Sequence, residues 1–220
     1  MPNEPGQAPD AEQAADAQDE AFDWAAFYRH TLGREPRPLF TKGVGVLSEG
    51  RVRPGQAIEI GFGDGTETLA LLAAGWRVLA IDPAPDAAEV LRSRVPANVA
   101  GNLEIRTVPA EDVDLPPYDL IYAGYALSFL EPATFRRFWA GVRRCLRPGG
   151  LIVVNIFGVH DTWADNATMT FLDLDAVHRL VAGLEVATID EEDADGDSFI
   201  GPKHWHVFDI VARRSAEGVA

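Results

Sequence analysis

The sequence predicts an α/β protein with a doubly wound, mostly parallel sheet that ends in an antiparallel hairpin. Short apolar segments alternate with helical patterns from residue 57 to residue 182, which is typical of parallel βαβ units. A glycine-rich turn follows the first apolar segment, as expected where a strand leads into a helix beside a ligand. The last two strand patterns, 185–190 and 204–212, are joined by an acidic loop instead of a helix, which indicates a hairpin.

Two helices are expected before the sheet begins. Aromatic and apolar residues recur at helical spacing ahead of a stop at Gly33, namely Phe22, Trp24, Phe27, Tyr28 and Leu32. A stiff, proline-punctuated link follows, and a second helix is predicted over 44–49. Because the first helix is so rich in aromatic side chains, we interpret residues 21–50 as a helical lid over the sheet.

Beyond residue 50 the predicted elements alternate. Apolar runs predict strands near 57–60, 77–81, 103–107, 119–123 and 151–157. Helices are predicted near 66–74, 85–94, 132–146 and 173–182. The first of these is rich in Ala and Leu, and the third carries Phe135, Phe138, Trp139 and Val142 on one face. Cys145 belongs to that face, so we interpret this single cysteine as a core residue.

Length and charge limit the classes of protein that fit. The 220 residues, 47% of them hydrophobic, suit one domain, predicted at 21–214. Twelve of the 34 acidic residues lie in 1–20 and 190–197, which leaves 22 against 19 Lys and Arg. Residues 1–20 are predicted to be a disordered acidic tail. No basic footprint for nucleic acid stands out.

No signal pattern and no apolar run of transmembrane length is found in the sequence. We therefore expect a cytoplasmic protein without a membrane partner, either a monomer or a homodimer.

The segment from Ala57 to Pro83 carries the clearest chemical signal. Its turn reads Glu59-Ile60-Gly61-Phe62-Gly63-Asp64-Gly65, and glycines at this point let a ligand approach the backbone. Asp82 ends the next strand, where a carboxylate can accept hydrogen bonds from two ribose hydroxyls. The unit is therefore predicted to bind a cofactor that contains adenosine.

The spacing favours one cofactor over another. A dinucleotide site has the pattern G-x-G-x-x-G, but here the third glycine comes one residue early. Glu59 and Asp64 would repel a pyrophosphate, whereas they suit a ligand with an ammonium and a sulfonium. The pattern E/D-x-G-x-G-x-G, with Asp82 after the next strand, resembles the first motif of class I S-adenosylmethionine (SAM)-dependent methyltransferases.

This resemblance implies a Rossmann-like methyltransferase fold, SAM as cofactor and methyl transfer to a small-molecule acceptor. Methyltransferases of this family place an acid after the third strand for the adenine amino group. Pro109 stands at that position here, so the contact is expected from the Ala110 backbone and Glu111. Residues 118–125 resemble the fourth strand, which places Ala123 and Tyr125 beside the methionine portion. The cofactor residues predicted overall are Arg34, Glu59, Gly61, Gly63, Gly65, Asp82, Pro83, Ala110, Glu111, Ala123 and Tyr125.

A narrower resemblance links three segments to the methyltransferase branch associated with tellurite resistance. They are 30–36 (HTLGREP), 128–131 (SFLE) and 208–214 (FDIVARR). This branch contains many members of unknown substrate, so the resemblance implies a branch and not a substrate.

The acceptor site is expected in the loops that cap the sheet. Catalytic candidates there are Tyr28, Tyr125, His160, His204 and His206. Other candidates for contacts with the acceptor are Arg34, Trp163, Lys203 and Trp205. His204 and His206 would share one side of a strand, with Trp205 opposite. A metal site is not predicted, because this H-x-H pair has no third ligand at a convincing spacing.

Two other functions fit parts of the sequence. One is an NAD(P)-dependent oxidoreductase, against which the position of the third glycine argues. The other is a protein that binds SAM without catalysis and serves as a sensor or partner, which the Pro109 departure leaves open.

Overall fold

The computed structural model of the protein describes residues 23–50 and 53–216. The predicted tail at 1–20 lies outside the described residues. The helices are α1 (Trp24–Thr31), α2 (Pro38–Glu49), α3 (Thr66–Ala73), α4 (Pro85–Arg94), α5 (Pro132–Cys145) and α6 (Leu174–Leu180). The strands are β1 (Gln56–Ile60), β2 (Arg77–Ile81), β3 (Leu103–Arg106), β4 (Tyr118–Ala123), β5 (Leu146–Gly158), β6 (Phe171–Leu172), β7 (Glu185–Ser198) and β8 (Gly201–Arg213).

The strands of the described residues form one sheet in the order β3-β2-β1-β4-β5-β8-β7. The short strand β6 pairs with the end of β5, at Phe157 and Gly158. Strands β1 to β6 pair in parallel. Strand β8 is antiparallel to both β5 and β7. The order reverses between β1 and β4, and open α/β sheets bind ligands at such a point, beyond the carboxyl ends of the strands.

Helices cover both faces of the sheet because successive strand residues point to opposite sides. Ile58 and Ile60 of β1 pack in a core that also contains residues of α5 and α6. Ala57 of the same strand faces a second core, which is shared with α2, α3 and α4. The doubly wound sheet with a terminal hairpin is therefore confirmed.

Three element boundaries were predicted wrongly. Strand β5 begins at Leu146 instead of residue 151. Helix α2 begins at Pro38 instead of residue 44, since a proline in the first turn needs no hydrogen-bond partner for its nitrogen. The hairpin strands continue through the acidic segment, which the sequence analysis took for a loop, and they turn only at Phe199 and Ile200. This segment forms a strand because histidine side chains of β8 contact its acidic side chains, as described below.

Within the described residues, no helix combines the length and the apolar character needed to cross a membrane.

Candidate functional site

A cavity of about 850 Å³ opens at the carboxyl ends of β1, β2 and β4. Ligand sites in proteins usually enclose roughly 300–1,000 Å³, so this cavity is large for one small molecule. Its floor includes the glycine turn after β1, the end of β2 and the loop after β4. Helix α1 forms one side and the tip of the β7–β8 hairpin forms another, where the Phe27 and Phe199 ring centroids are 5.7 Å apart.

The glycine turn is held open by backbone conformations that side chains rarely adopt. Gly61 has a φ of 70°, and its amide donates a hydrogen bond to the Ile81 carbonyl at 2.8 Å. Gly63 has a φ of 52°, and a Cβ at this position would lie 3.2 Å from the ring of Tyr28. A side chain at Gly63 would therefore enter the space between the turn and α1.

Asp82 lies against this turn at the end of β2 and is buried. One of its carboxylate oxygens accepts the Gly63 amide at 3.0 Å, and the other accepts the Ala84 amide at 2.9 Å. Tyr28 Oη lies 3.5 Å from the second oxygen. Burial raises the pKa of Asp82, and these hydrogen bonds offset part of the shift. The carboxylate is thus fixed at the point where the sequence predicts a ribose contact.

Arg34 crosses the mouth of the turn and binds carboxylates of the protein itself. Its guanidinium nitrogens lie 2.6 Å from each carboxylate oxygen of Glu67 and 3.1 Å from Asp64. Burial alone would raise the pKa of Glu67, but Arg34 outweighs it and holds the pKa below its usual value. This bidentate pair ties the segment after α1 to the first turn of α3.

Glu59 sits beneath this ion pair and is fully buried. Burial, followed by the charge of Glu67, raises the pKa of Glu59 well above its ordinary value. Its carboxyl also accepts a hydrogen bond from the Thr68 hydroxyl. Burial thus disfavours the charged form of the Glu59 carboxyl, which was predicted to suit the cationic groups of the cofactor.

Tyr125 has a strained backbone at the edge of the cavity. Its φ is 54°, and no other non-glycine residue of the described chain has a positive φ. Such a conformation costs on the order of 1–3 kcal/mol and is found mainly at functional sites. The buried Asn155 holds it in place by accepting the Tyr125 amide at 2.6 Å. Burial raises the pKa of Tyr125 to about 12, so the phenol stays protonated.

Five aromatic side chains form a continuous surface on the hairpin side of the cavity. We call it the aromatic wall; it consists of Tyr125, Phe129, Phe157, Trp163 and Trp205. Every ring of the wall has a neighbour whose centroid lies 5.8–6.3 Å away. Trp24 of α1 extends it, with its ring centroid 5.2 Å from that of Phe129.

A buried ion pair supports the wall from behind. Lys203 Nζ lies 2.5 and 2.6 Å from the carboxylate oxygens of Asp161, and both side chains are almost fully buried. The ammonium is 3.8 Å from the ring centroids of both Trp163 and Trp205. Burial lowers the pKa of Lys203, and Asp161 offsets part of the shift. The ion pair and its cation–π contacts hold the two indoles in position.

The hairpin places its histidines on the side opposite Trp205. His204 contacts Asp193 and Asp195 at 2.7 Å, and His206 contacts Glu191 at 3.0 Å. His160 joins this group through Asp193 at 2.9 Å. These contacts are what hold the acidic segment of β7 as a strand.

The predicted site residues fall into two groups. The cavity is lined by Tyr28, Arg34, Glu59, Gly61, Gly63, Asp82, Pro83 and Tyr125, together with Trp163 and Trp205. The predicted residues outside that lining are Gly65, Ala110, Glu111, Ala123, His160, Lys203, His204 and His206. A Cβ on Gly65 would meet Leu91, so this glycine allows α3 to pack closely against α4.

Sequence reasoning missed several contributors besides Phe129 and Phe157 of the aromatic wall. Arg37 and Glu67 line the cavity, Asn155 supports Tyr125, and the hairpin tip at 197–200 closes one side. Asn155 left a signal in the sequence, since it interrupts the apolar run of β5 (LIVVNIF). The hairpin tip left none, because its position depends on the full length of β7 and β8.

Comparison with known sequences finds a family model and curated relatives that match part of the chain. A family model described as a methyltransferase domain matches residues 58–152. The carboxy-S-adenosyl-L-methionine synthase of Yersinia pestis (strain Pestoides F) is 31% identical over 119 residues, which covers 51% of this chain and 44% of that protein. The chain thus spans less than half the length of this curated relative.

Solved structures share the fold over most of the chain. The 1,6-didemethyltoxoflavin-N1-methyltransferase of Burkholderia thailandensis, with 1,6-didemethyltoxoflavin and S-adenosylhomocysteine bound, has a TM-score of 0.62 at 17% identity. The match covers 97% of this chain and 94% of that one. TehB from Haemophilus influenzae has a TM-score of 0.66 at 15% identity, covering 87% of this chain and 67% of that one. At these identities the likeness concerns the fold.

Proposed function

We propose that this chain, whose residues 58–152 form a methyltransferase domain within a class I methyltransferase fold, is a SAM-dependent methyltransferase that acts on a small molecule. One observation carries the proposal: the open glycine turn and the fixed carboxylate of Asp82 meet on a cavity with room for a cofactor and a second molecule. The narrower resemblance is supported by TehB, a structure of the tellurite-resistance type. A cytoplasmic location and a monomeric or homodimeric state belong to the same proposal.

The residues of the turn suit this cofactor. Gly61 and Gly63 expose backbone where a Cβ would intrude, and Asp82 offers a carboxylate to ribose hydroxyls. Ala110 and Glu111 lie on the short turn that follows β3, and β3 is the strand that pairs with β2. We keep them as the adenine contacts.

The carboxylate of the cofactor's methionine portion is assigned to Arg37. Arg34, which was predicted among the cofactor residues and among the acceptor contacts, is engaged by Glu67 and Asp64. Within the described residues the guanidinium of Arg37 makes no salt bridge, and it lies 4.8 Å from the centroid of the Tyr125 ring. Its stem also approaches Gly124. Arg37 thus has a free planar donor set beside the loop after β4.

An acceptor atom with a free lone pair needs little acid–base assistance from the protein, whereas an alcohol or carbon acid would need a base. When bound, SAM would supply a methyl group on a sulfonium for in-line attack by the acceptor, and the electron pair of the C–S bond would stay on sulfur. The residues of the cavity align the two molecules and exclude water. Tyr28 and Tyr125 both have raised pKa values through burial, so they act as hydrogen-bond donors and not as bases.

Replacement of Asp82 by Ala tests the cofactor assignment. The variant loses a charge-assisted contact to ribose, so we expect the affinity for S-adenosylhomocysteine to fall by about 1.5–3 kcal/mol, measured by titration calorimetry. Asp86→Ala, an exposed carboxylate in the first turn of α4, is the matched control and should bind normally. Unchanged affinity in Asp82→Ala, or tighter binding of NADH than of S-adenosylhomocysteine, would overturn the assignment. If neither the unmodified protein nor a variant transfers a methyl group to any acceptor, the result would instead support the alternative of a protein that binds SAM without catalysis.

We also propose that α1 acts as a lid. It lies over the glycine turn through Tyr28 and reaches the hairpin tip through Phe27. Binding of S-adenosylhomocysteine should therefore slow amide hydrogen exchange across residues 23–36, while α6, which does not line the cavity, should be unaffected. Tyr28→Ala should weaken binding about tenfold, or about 1.4 kcal/mol.

Equal exchange across 23–36 in the free and bound states would show that α1 is a fixed part of the scaffold. Arg34→Ala is a poorer probe, because it leaves the buried Asp64 and Glu67 without their cation and should lower stability as well.

A further inference from the structure

The aromatic wall identifies the class of acceptor, an inference that rests on the proposed function. Its five rings line the part of the cavity between the loop after β4 and the hairpin. Trp24 and Phe129 keep 37% and 38% of their surface exposed although both line the cavity. Large apolar side chains gathered around a cavity mark a place where an apolar molecule binds.

The rings favour a flat molecule over a saturated one. Aromatic pairs gain from stacked or edge-to-face contacts at centroid separations of about 4.5–7 Å, which amounts to roughly two- to twelvefold in affinity for each ring pair. Ring orientation has to be fixed for this gain to be realised. Lys203 and Asp161 fix Trp163 and Trp205. Gly196 on β7 lets the Trp205 indole pack closely against the strand, since a Cβ there would lie 3.2 Å from the ring.

The charges at this end of the cavity disfavour anions. The hairpin contributes Glu192 and Asp197 to the lining, and no cation. The charge of Lys203 is neutralised by Asp161 behind the wall. Arg37 is directed to the cofactor's carboxylate in the proposed function. An oxyanion of selenium or tellurium would meet carboxylates and aromatic faces, both of which repel negative charge.

We propose that the methyl acceptor is a flat aromatic or heteroaromatic molecule without net negative charge, bound against Tyr125, Phe129, Trp163 and Trp205, with Phe157 buried behind them. Glu192 and Asp197 would also attract cationic molecules of this kind to the mouth of the cavity.

A set of three matched compounds tests ring character and charge separately. Quinolin-6-amine is flat and uncharged at neutral pH, decahydronaphthalen-2-ol is saturated and uncharged with the same ring size, and quinoline-6-carboxylate is flat and anionic. Binding of each to the full chain with saturating S-adenosylhomocysteine is measured by ligand-observed NMR, with selenite and tellurite as inorganic competitors. We expect the amine to bind at least tenfold more tightly than the other two, and neither oxyanion to displace it.

Variants locate the site. Trp205→Leu should weaken the amine by about tenfold, while Glu192→Gln should strengthen binding of the carboxylate. Glu191→Gln, the neighbouring residue on the opposite side of β7, is the matched control and should change neither.

The proposal would be overturned if all three compounds bound equally well, or if neither flat compound bound. Displacement of the amine by tellurite would overturn it as well. Because S-adenosylhomocysteine binding is measured independently in the same samples, its loss would contradict the proposed function, whereas its retention with no aromatic preference would contradict this inference alone.

Discussion

Lys203→Met is expected to lower the free energy of unfolding by about 3–5 kcal/mol, because it leaves the carboxylate of Asp161 buried without its cation. The side chain keeps its length, so packing against Trp163 and Trp205 changes little. For a chain of this size the loss corresponds to a decrease in Tm of roughly 6–20 °C. Urea unfolding followed by circular dichroism measures the difference directly.

Two variants isolate the cause. Lys42→Met removes the same type of side chain from the exposed pair with Asp190, and it should cost no more than about 1 kcal/mol. Adding Asp161→Asn to Lys203→Met should restore part of the stability, since an asparagine still accepts the Trp163 amide without an unpaired charge. Equal losses in Lys203→Met and Lys42→Met would show that burial of the pair has no energetic weight.

Gly63→Val is expected to raise the Kd for S-adenosylhomocysteine at least about a hundredfold, or roughly 2.7 kcal/mol. A β-branched residue is strained at a φ of 52°, and its Cβ would point at the ring of Tyr28, 3.2 Å away. The turn must then shift or displace α1, and in either case the cofactor loses its backbone contact. Titration calorimetry measures the affinity, and circular dichroism checks the fold.

Gly45→Val is the matched control, because a Cβ on this helical glycine of α2 meets nothing within 4 Å. It should bind S-adenosylhomocysteine like the unmodified protein. Normal binding by Gly63→Val would mean that the turn does not approach the cofactor.

The cofactor half of the site could be predicted from the sequence because its determinants are local. Gly61 and Gly63 adopt φ values that favour glycine wherever the chain makes this turn, and Asp82 follows a strand whose apolar pattern is unmistakable. Each of these positions depends on residues within about one βαβ unit. The pattern of neighbours therefore predicted both the turn and the carboxylate beside it.

The rest of the cavity could not be predicted in the same way, because it is assembled from distant segments. Lys203 and Asp161 are 42 residues apart, and Arg34 meets Glu67 across 33 residues. Whether Arg34 would find a ligand or a protein carboxylate depended on where α3 places Glu67, which local pattern does not encode. By contrast, strand alternation is local, and it correctly predicted that Trp205 and His206 lie on opposite sides of the hairpin.

The position of β8 inside the sheet has a consequence for synthesis on the ribosome. Strand β5 pairs with β8 from Leu151 to Phe157, and its partner segment lies at 207–213. Until those residues have left the exit tunnel, β5 presents an unpaired apolar edge, which is a template for pairing with other chains. Strands β1 to β4 can associate earlier, since N-terminal units fold first during translation. The nascent chain therefore passes through a state with one open strand edge, and it is the interval between translation of β5 and of β8 that exposes the protein to misassembly.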